Sequence, residues 1–410
     1  MGILKVFHKP HLVMLWLSQV LSAMGDYFYL IAVMWIAVKV GGSQAGIVAA
    51  AESGSMLLFG LLGGVYADRW NRRSIMIGVD LIRGLAVAAL PILAQFGLLQ
   101  LWHLVAVAII VGSLDALFAP ALQASLPALA GDTQTLQATN ALMDLTRRLA
   151  RAIGPSLAGI LIVWMPLFHF FTLDAASFFI SAFAVFSLGR RFAWKPVREQ
   201  EFASGIKGIT AEIRGAMQLV RAHRPLAWAL VSMIIISLSW GAGFTVGVPL
   251  LAARVLKDNI GAYGLIVGAY GVGNVLSNLV IGNLVIRRKV TMLFSGKIVL
   301  GAGFLLIAFA PNLPIAMLGS ALAAIGGPMG DIVLVTMIQN DLPSEQIGKV
   351  YSLLMLVENT GTSLGLLLAV PLFVVLSIRS GIALCALLMI TVGTAGLIRF
   401  RAQESKAVAA

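Results

Sequence analysis

The stretch FGLLGGVYADRWNRRSIMIG, Phe59 to Gly78, is apolar, then abruptly charged, then apolar again. Asp68, Arg69, Arg72 and Arg73 fall within six residues, with long oily runs on both sides. Two apolar helices meeting at a membrane surface give such a pattern, since charged groups can enter the chain only where it leaves the hydrocarbon.

The rest of the chain agrees. It has 410 residues, 60% hydrophobic and 11% charged, with a mean hydropathy of +0.96. Soluble domains run to about half apolar and about a quarter charged, so the chain reads as an all-α integral membrane protein. A membrane β-barrel would alternate over segments of about ten residues, whereas here apolar runs continue unbroken over about twenty. The net charge of +12 marks cytoplasmic loops rather than a nucleic-acid surface. Cys385 is the single cysteine and forms no internal disulfide. The first forty residues have a basic start followed by an apolar run too long for a signal peptide, and read as an uncleaved first span.

Apolar runs between charged or Pro/Gly breaks give twelve candidate spans. They are 12–38, 44–67, 74–95, 101–128, 136–164 and 168–189, then 225–253, 260–285, 290–309, 313–339, 347–376 and 378–399. With a cytoplasmic N-terminus, twenty of the 29 Lys and Arg residues lie inside and four outside, a strong positive-inside bias that also makes the C-terminus cytoplasmic. The expected organisation is a six-helix bundle over 1–189, a cytoplasmic linker over 190–224, a second bundle over 225–400 and a tail over 401–410. Within the linker, Ile206, Ile209, Ile213, Met217 and Val220 recur at helical spacing, as in a helix lying on the inner membrane surface. The halves echo each other: ALQASLP (121–127) and MIQNDLP (337–343) share Gln, Leu and Pro 216 residues apart. The charged turn has a fainter echo, IGNLVIRRK (281–289), with Ile286 where the acid would stand. Two weakly repeated halves suggest a transporter working by alternating access.

Gly64, Asp68, Arg69, Arg72 and Arg73 fit the pattern G-x-x-x-D-R-x-x-R-R between spans two and three. In this the chain resembles the major facilitator superfamily, and with twelve spans and a central linker the resemblance covers its whole length. ARAIGPSLAG (150–159) is similar to that superfamily's antiporter motif through Gly154, Pro155 and Gly159, but has Ala150 and Ala158 in place of glycine. LSQVLSAMGDYF, PALQASLPAL, FTLDAASFFISA and AYGLIVGAYGVGN resemble the branch that includes macrolide-efflux proteins and the enterobactin exporter. The resemblance implies two pseudo-symmetric six-helix bundles around a central cavity, in a bacterial inner membrane. It also implies a cytoplasmic gate in which Asp68 meets the N-terminal end of a helix from the other half.

Thirteen ionisable groups fall within the spans: Asp26, Glu52, Asp80, Asp115, Asp144, Asp174, Asp331 and Glu358, with Arg83, Arg147, Arg148, Arg151 and Lys297. Each costs roughly 2.5–3.5 kcal/mol or more at mid-membrane, so they must face a cavity, a partner or the interface. Gln19, Ser22, Asp26 and Tyr29 form one polar stripe on span one. Asp26 is the first choice for proton coupling, with Glu52, Asp115 and Glu358 in reserve; a buried structural pair is the competing account. On span five, Asp144 could pair with Arg147 or Arg148 at helical spacing, and Arg151 could pair with Asp26, Glu52 or Asp115 or hold a substrate anion. Asp331 and Glu358 could line the cavity. Asp80 and Arg83, one turn apart, suggest a local ion pair, and Asp174 suggests a structural acid.

Enzyme chemistry lacks its parts: there is no HExxH, no clustered metal ligands and no phosphate loop, so no cofactor or metal is expected. The expectation is a monomeric secondary transporter that exports an amphipathic drug or siderophore by proton antiport. The alternatives are an anionic or lipid-like substrate, held by the basic face of span five, and a membrane sensor or assembly protein without transport.

Overall fold

The computed structural model describes residues 6–69, 71–189, 214–215, 217–221, 223–256, 260–284, 286, 288–341 and 344–409. The chain forms two compact units, Met1–Arg198 and Glu199–Ala410. Most of the linker lies outside the described residues; of the expected surface helix, 214–215 and 217–221 are described and helical, with Met217 exposed and Val220 buried in the apolar core of the second unit.

The first unit contains α1 (Pro10–Gly41), α2 (Ala45–Arg69), α3 (Arg72–Gln95), α4 (Leu101–Ala130), α5 (Thr133–Trp164) and α6 (Phe168–Ser187). The second contains α7 (Arg224–Ser239), a π-wound segment (Trp240–Gly247) and α8 (Val248–Arg254), then α9 (Ile260–Gly282), α10 (Lys289–Ala308), α11 (Leu313–Asp341), α12 (Ser344–Val375) and α13 (Ile378–Ala409). The caps follow from local chemistry. Pro10 opens α1, where its missing N–H costs nothing. The Asn71 side chain accepts hydrogen bonds from the amides of Arg73 and Ser74 to start α3.

Ten helical stretches among the described residues are long and apolar enough to cross a membrane, which makes the chain a multi-pass membrane protein. One of them, Pro10–Phe59, runs through both α1 and most of α2. Thr133–Trp164 is not among the ten, because Asp144, Arg147, Arg148 and Arg151 interrupt its apolar run.

Within each unit the helices pair by the same scheme. In the first, α2 packs on α4, α3 on α4 and α6, and α1 on α5 and α6. In the second, α9 packs on α11, α10 on α11 and α13, and α7 on α12 and α13. This repeated order is what a duplicated bundle produces. Each unit has its own apolar core, with Met76, Leu126 and Leu142 in the first and Leu293, Phe294 and Ile338 in the second.

Small residues allow the tightest of these pairings. A Cβ on Gly303 of α10 would lie 2.4 Å from the Ala323 amide of α11, and one on Gly326 of α11 would lie 2.4 Å from the Gly296 carbonyl of α10. The two backbones therefore touch directly, the close approach that glycine permits in a membrane. Gly326→Leu should destabilise the protein by about 1–3 kcal/mol, the usual cost of overpacking. Gly54→Ala, where a Cβ meets nothing within 4 Å, should leave stability unchanged. Thermal unfolding of the two purified variants in detergent checks both; equal midpoints would refute the close-packing account.

Candidate functional site

The first unit gathers its polar side chains around Arg83. This arginine lies near the middle of α3 and is almost fully buried, its side chain 5% exposed. Its Nη2 is 3.5 Å from Asp26 Oδ1 on α1, and its Nη1 is 3.4 Å from Asp115 Oδ1 on α4. The guanidinium also lies over the Phe178 ring of α6, 4.2 Å from its centroid. One fork-shaped cation thus ties four helices together.

The two acids are far more open than the base, Asp26 at 49% and Asp115 at 36% exposed. Both stand near the middle of apolar helices, at a depth where acyl chains cannot solvate a carboxylate. Their open sides therefore need a polar neighbour or water. Glu52 on α2 and Asp174 on α6 lie within electrostatic reach of Asp26 and Arg83. Asp174 is buried where α1 passes close to α6: a Cβ on Gly25 would lie 2.6 Å from Asp174 Oδ1. Tyr29 Oη and Asp174 Oδ1 are buried with no hydrogen-bond partner among the described residues. Gln19, on the Asp26 stripe, donates to Ser181 Oγ at 3.2 Å, and Ser181 is hydrogen-bonded to Asp80.

Several sequence expectations change here. Arg83 pairs not with Asp80, one turn away on its own helix, but across to Asp26 and Asp115. A long arginine can reach a neighbouring helix, and the close packing of α3 beside α4 and α6 brings the acids within its range. Arg83 is thus a base beside Asp26 and Asp115, the acids considered as partners for Arg151. The side chains of Asp144, Arg147, Arg148, Arg151 and Pro155 lie outside the described residues. Asp174, expected to be a structural acid, is buried within electrostatic reach of Asp26, Arg83 and Glu52. Gln19, Asp26, Glu52 and Asp115 come together in the first unit, whereas Asp331 and Glu358 are exposed on α11 and α12 of the second. In the antiporter-like stretch, Gly154 admits the Tyr27 ring, which a Cβ there would approach to 2.5 Å, and Gly159 is buried.

At the charged turn, the surroundings of Gly64 and the side chains of Asp68 and Arg69 lie outside what is described. Arg72 Nη1 donates to the Ala124 carbonyl of α4 at 2.6 Å, and Arg73 Nη2 to the Phe186 carbonyl of α6 at 2.7 Å. The two arginines thus fasten the α3 start to α4 and α6.

The second unit has a buried base of its own on its third long helix. Lys297 of α10 donates to Ser232 Oγ and, at 3.3 Å, to the Ala229 carbonyl, both on α7. The acid 216 residues after Asp115 is Asp331, the same offset that separates the two Gln-Leu-Pro stretches. That offset was the available sign that the charge cluster belongs to a repeat.

Between α4 and α5 lies a smaller polar group. Asp132 caps α5 by accepting from the Thr135 hydroxyl (2.7 Å) and amide (2.8 Å), while Lys9 Nζ stands 3.3 Å away and donates to the Ala130 carbonyl. The Thr135 hydroxyl bond, then its amide bond and Lys9, hold the Asp132 carboxyl down at about 2. No group of three or more His, Cys, Asp or Glu placed to hold a metal ion occurs among the described residues.

The profile described as transmembrane secretion effector matches residues 3–410. The chain is 25% identical to the multidrug efflux pump Tap of Mycolicibacterium fortuitum over 405 residues, 96% of each protein. It is 28% identical to the enterobactin exporter EntS of Salmonella typhi over 347 residues, 78% of this chain and 75% of that one. Among solved structures, a bacterial homologue of the iron transporter ferroportin in its inward-facing state superposes with a TM-score of 0.70 at 15% identity, covering 97% of this chain and 99% of that one. That last likeness concerns the fold alone. The chain belongs to the major facilitator superfamily, in its branch of drug and siderophore exporters.

The depressed Asp132 value sets a pH prediction. Its cap contributes stability above the unfolded carboxyl range near 3.8 and loses it as pH falls toward about 2. The unfolding-midpoint gap between the wild type and Asp132→Asn should be constant from about pH 7 to 5 and close below about 4. A gap independent of pH would contradict the assignment.

Proposed function

We propose that this superfamily member is a twelve-span secondary transporter that exports an amphipathic organic compound, of drug or siderophore type, by proton antiport and alternating access. It works as a monomer in the bacterial inner membrane with both termini cytoplasmic, as two six-helix bundles over 1–189 and 225–400, a linker over 190–224 and a tail over 401–410. The observation that carries the reading is Arg83, held between Asp26 and Asp115 in the middle of an apolar bundle. Secondary transport of small molecules is what the family does, and the likeness to Tap, an efflux pump, and EntS, an exporter, supports an outward direction.

Charge balance supplies the coupling. One guanidinium neutralises one carboxylate; the second carboxylate needs a proton, or a cationic group of the substrate, to balance it at this depth. Proton and substrate then compete for one site, the minimal requirement of antiport. Because Arg83 links α1, α3, α4 and α6, exchanging one counter-charge for the other shifts forces on four helices at once. Asp26, the more exposed of the two acids, is the exchanging group. Glu52 and Asp115 tune its field, and Gln19 fixes the neighbouring Ser181.

Asp68 and the arginines of the charged turn serve as a cytoplasmic gate, with Gly64 admitting a close neighbour. The retained Gly154, Pro155 and Gly159 support an antiporter, while Arg148, Arg151, Asp331 and Glu358 line the route of the substrate.

In proteoliposomes screened with dyes, macrolides and chelators, uptake should require a pH gradient, and Asp26→Asn should abolish gradient-driven uptake. An Asp26→Asn protein that transports normally and still moves protons would sink the assignment. Asp68→Asn should cut transport while leaving protein level and substrate binding intact; wild-type transport by that variant would remove the gate.

A further inference from the structure

The second unit carries a basic patch at one end that the transport reading leaves unused. Arg224 opens α7, and Trp228 follows one turn later on the same face. The Trp228 indole Nε1 donates to the Val392 carbonyl of α13 at 3.4 Å, which sets the ring across the seam between the two helices. Arg399 of α13 lies over that indole, its guanidinium carbon 5.8 Å from the ring centroid and 5.7 Å from the centroid of Phe400. Two arginines from two helices therefore flank one tryptophan. Arg221 stands just before α7, and its neighbour Val220 is buried in the apolar core, which holds that turn against the bundle.

The three arginines are exposed, and among the described residues none of them meets a carboxylate. The acid closest to Arg399 along α13, Glu404, is already engaged. It accepts from the Val290 amide at 2.6 Å, the Thr291 amide at 2.9 Å and the Thr291 hydroxyl at 2.6 Å, capping the start of α10. Away from the charges the same surfaces turn apolar. Val231 of α7, three residues after Trp228, is 53% exposed, and Ile398 beside Arg399 is 76% exposed. Ala395, one turn before Arg399, is exposed and carries only a methyl group, so α13 leaves room there. From the end of the unit inward, the surface runs from cation to indole to aliphatic. A tryptophan at such a boundary marks the level of lipid headgroups.

We propose that Arg224, Trp228 and Arg399, with Arg221 at their edge, bind the headgroup of an anionic phospholipid. The guanidinium groups take the phosphodiester oxygens by charge-assisted hydrogen bonds. The indole lies against the glycerol ester region, and an acyl chain runs on past Ala395 and Val231. Clusters of basic side chains at a membrane surface draw anionic lipids in this way. A zwitterionic headgroup brings an ammonium that these arginines repel. A soluble phosphate ester lacks the chain that would cover the aliphatic part of the site. The site needs only a bilayer around the chain, so it stands or falls independently of proton antiport.

The test loads the purified full-length protein in detergent with equal amounts of dioleoyl phosphatidylglycerol and dioleoyl phosphatidylcholine, and reads the retained lipids by native mass spectrometry. The wild type should retain phosphatidylglycerol in preference. Arg399→Gln and Arg224→Gln should each lower that retention about fivefold and leave phosphatidylcholine unchanged. Arg254→Gln is the control. It removes the same charge from the exposed far end of the helical run that begins at Arg224, and should change nothing. Glycerol phosphate in large excess should displace no lipid. The substituted arginines are exposed, and unchanged thermal midpoints would show that the variants fold. Equal retention of the two lipids by the wild type overturns the site. So does an equal loss in Arg254→Gln and Arg399→Gln, which would reduce the effect to net charge. Displacement of phosphatidylglycerol by glycerol phosphate overturns the lipid assignment in favour of a soluble phosphate ester.

Discussion

A buried guanidinium between two carboxylates is the constraint on which the first unit depends. Apolar packing alone would let α1, α3, α4 and α6 slide or rotate, since a membrane offers little hydrophobic drive between helices. Arg83 removes that freedom, because any arrangement that leaves it without Asp26 or Asp115 places a bare charge in the hydrocarbon. The same interaction fixes the orientation of each helix about its own axis. Gln19 and Ser181, Gly25 and Asp174, and Gly154 and Tyr27 then meet as consequences.

The second unit repeats the helix pairing and varies the chemistry. Its third long helix again carries a buried base: Lys297 donates to a hydroxyl and a carbonyl on α7 and has the Asp331 carboxylate within electrostatic reach, where Arg83 meets two carboxylates directly. Its acid in the Asp115 register, Asp331, is exposed. In place of a second carboxylate cluster stand the π-wound segment and its rings.

Much of this architecture is legible in the amino-acid order, and the limits are physical. Apolar run length reports helices directly, because the bilayer sets it. It fails for 133–164, whose charges break the hydropathy while the helix continues. The membership of Asp26 and Asp115 in a polar site was visible from their depth in apolar helices. The position of Arg83 was not. Its nearest acid in sequence, Asp80, is one turn away, while its actual partners lie on other helices, and helical periodicity says nothing about distance between helices. The rings of the π-wound segment show the same limit. Trp240 and Phe244 are neighbours in sequence, but their convergence with Tyr270 and Phe304 is a tertiary fact, and the π-winding leaves no mark in composition.

The central claim is that Asp26, facing Arg83, exchanges a proton. Infrared spectroscopy of the reconstituted protein follows this without any choice of substrate. As pH is cycled, the account predicts a protonated-carboxyl band that appears and vanishes in the wild type and is lost in Asp26→Asn. A titrating band of undiminished size in Asp26→Asn, or none in the wild type, would contradict it.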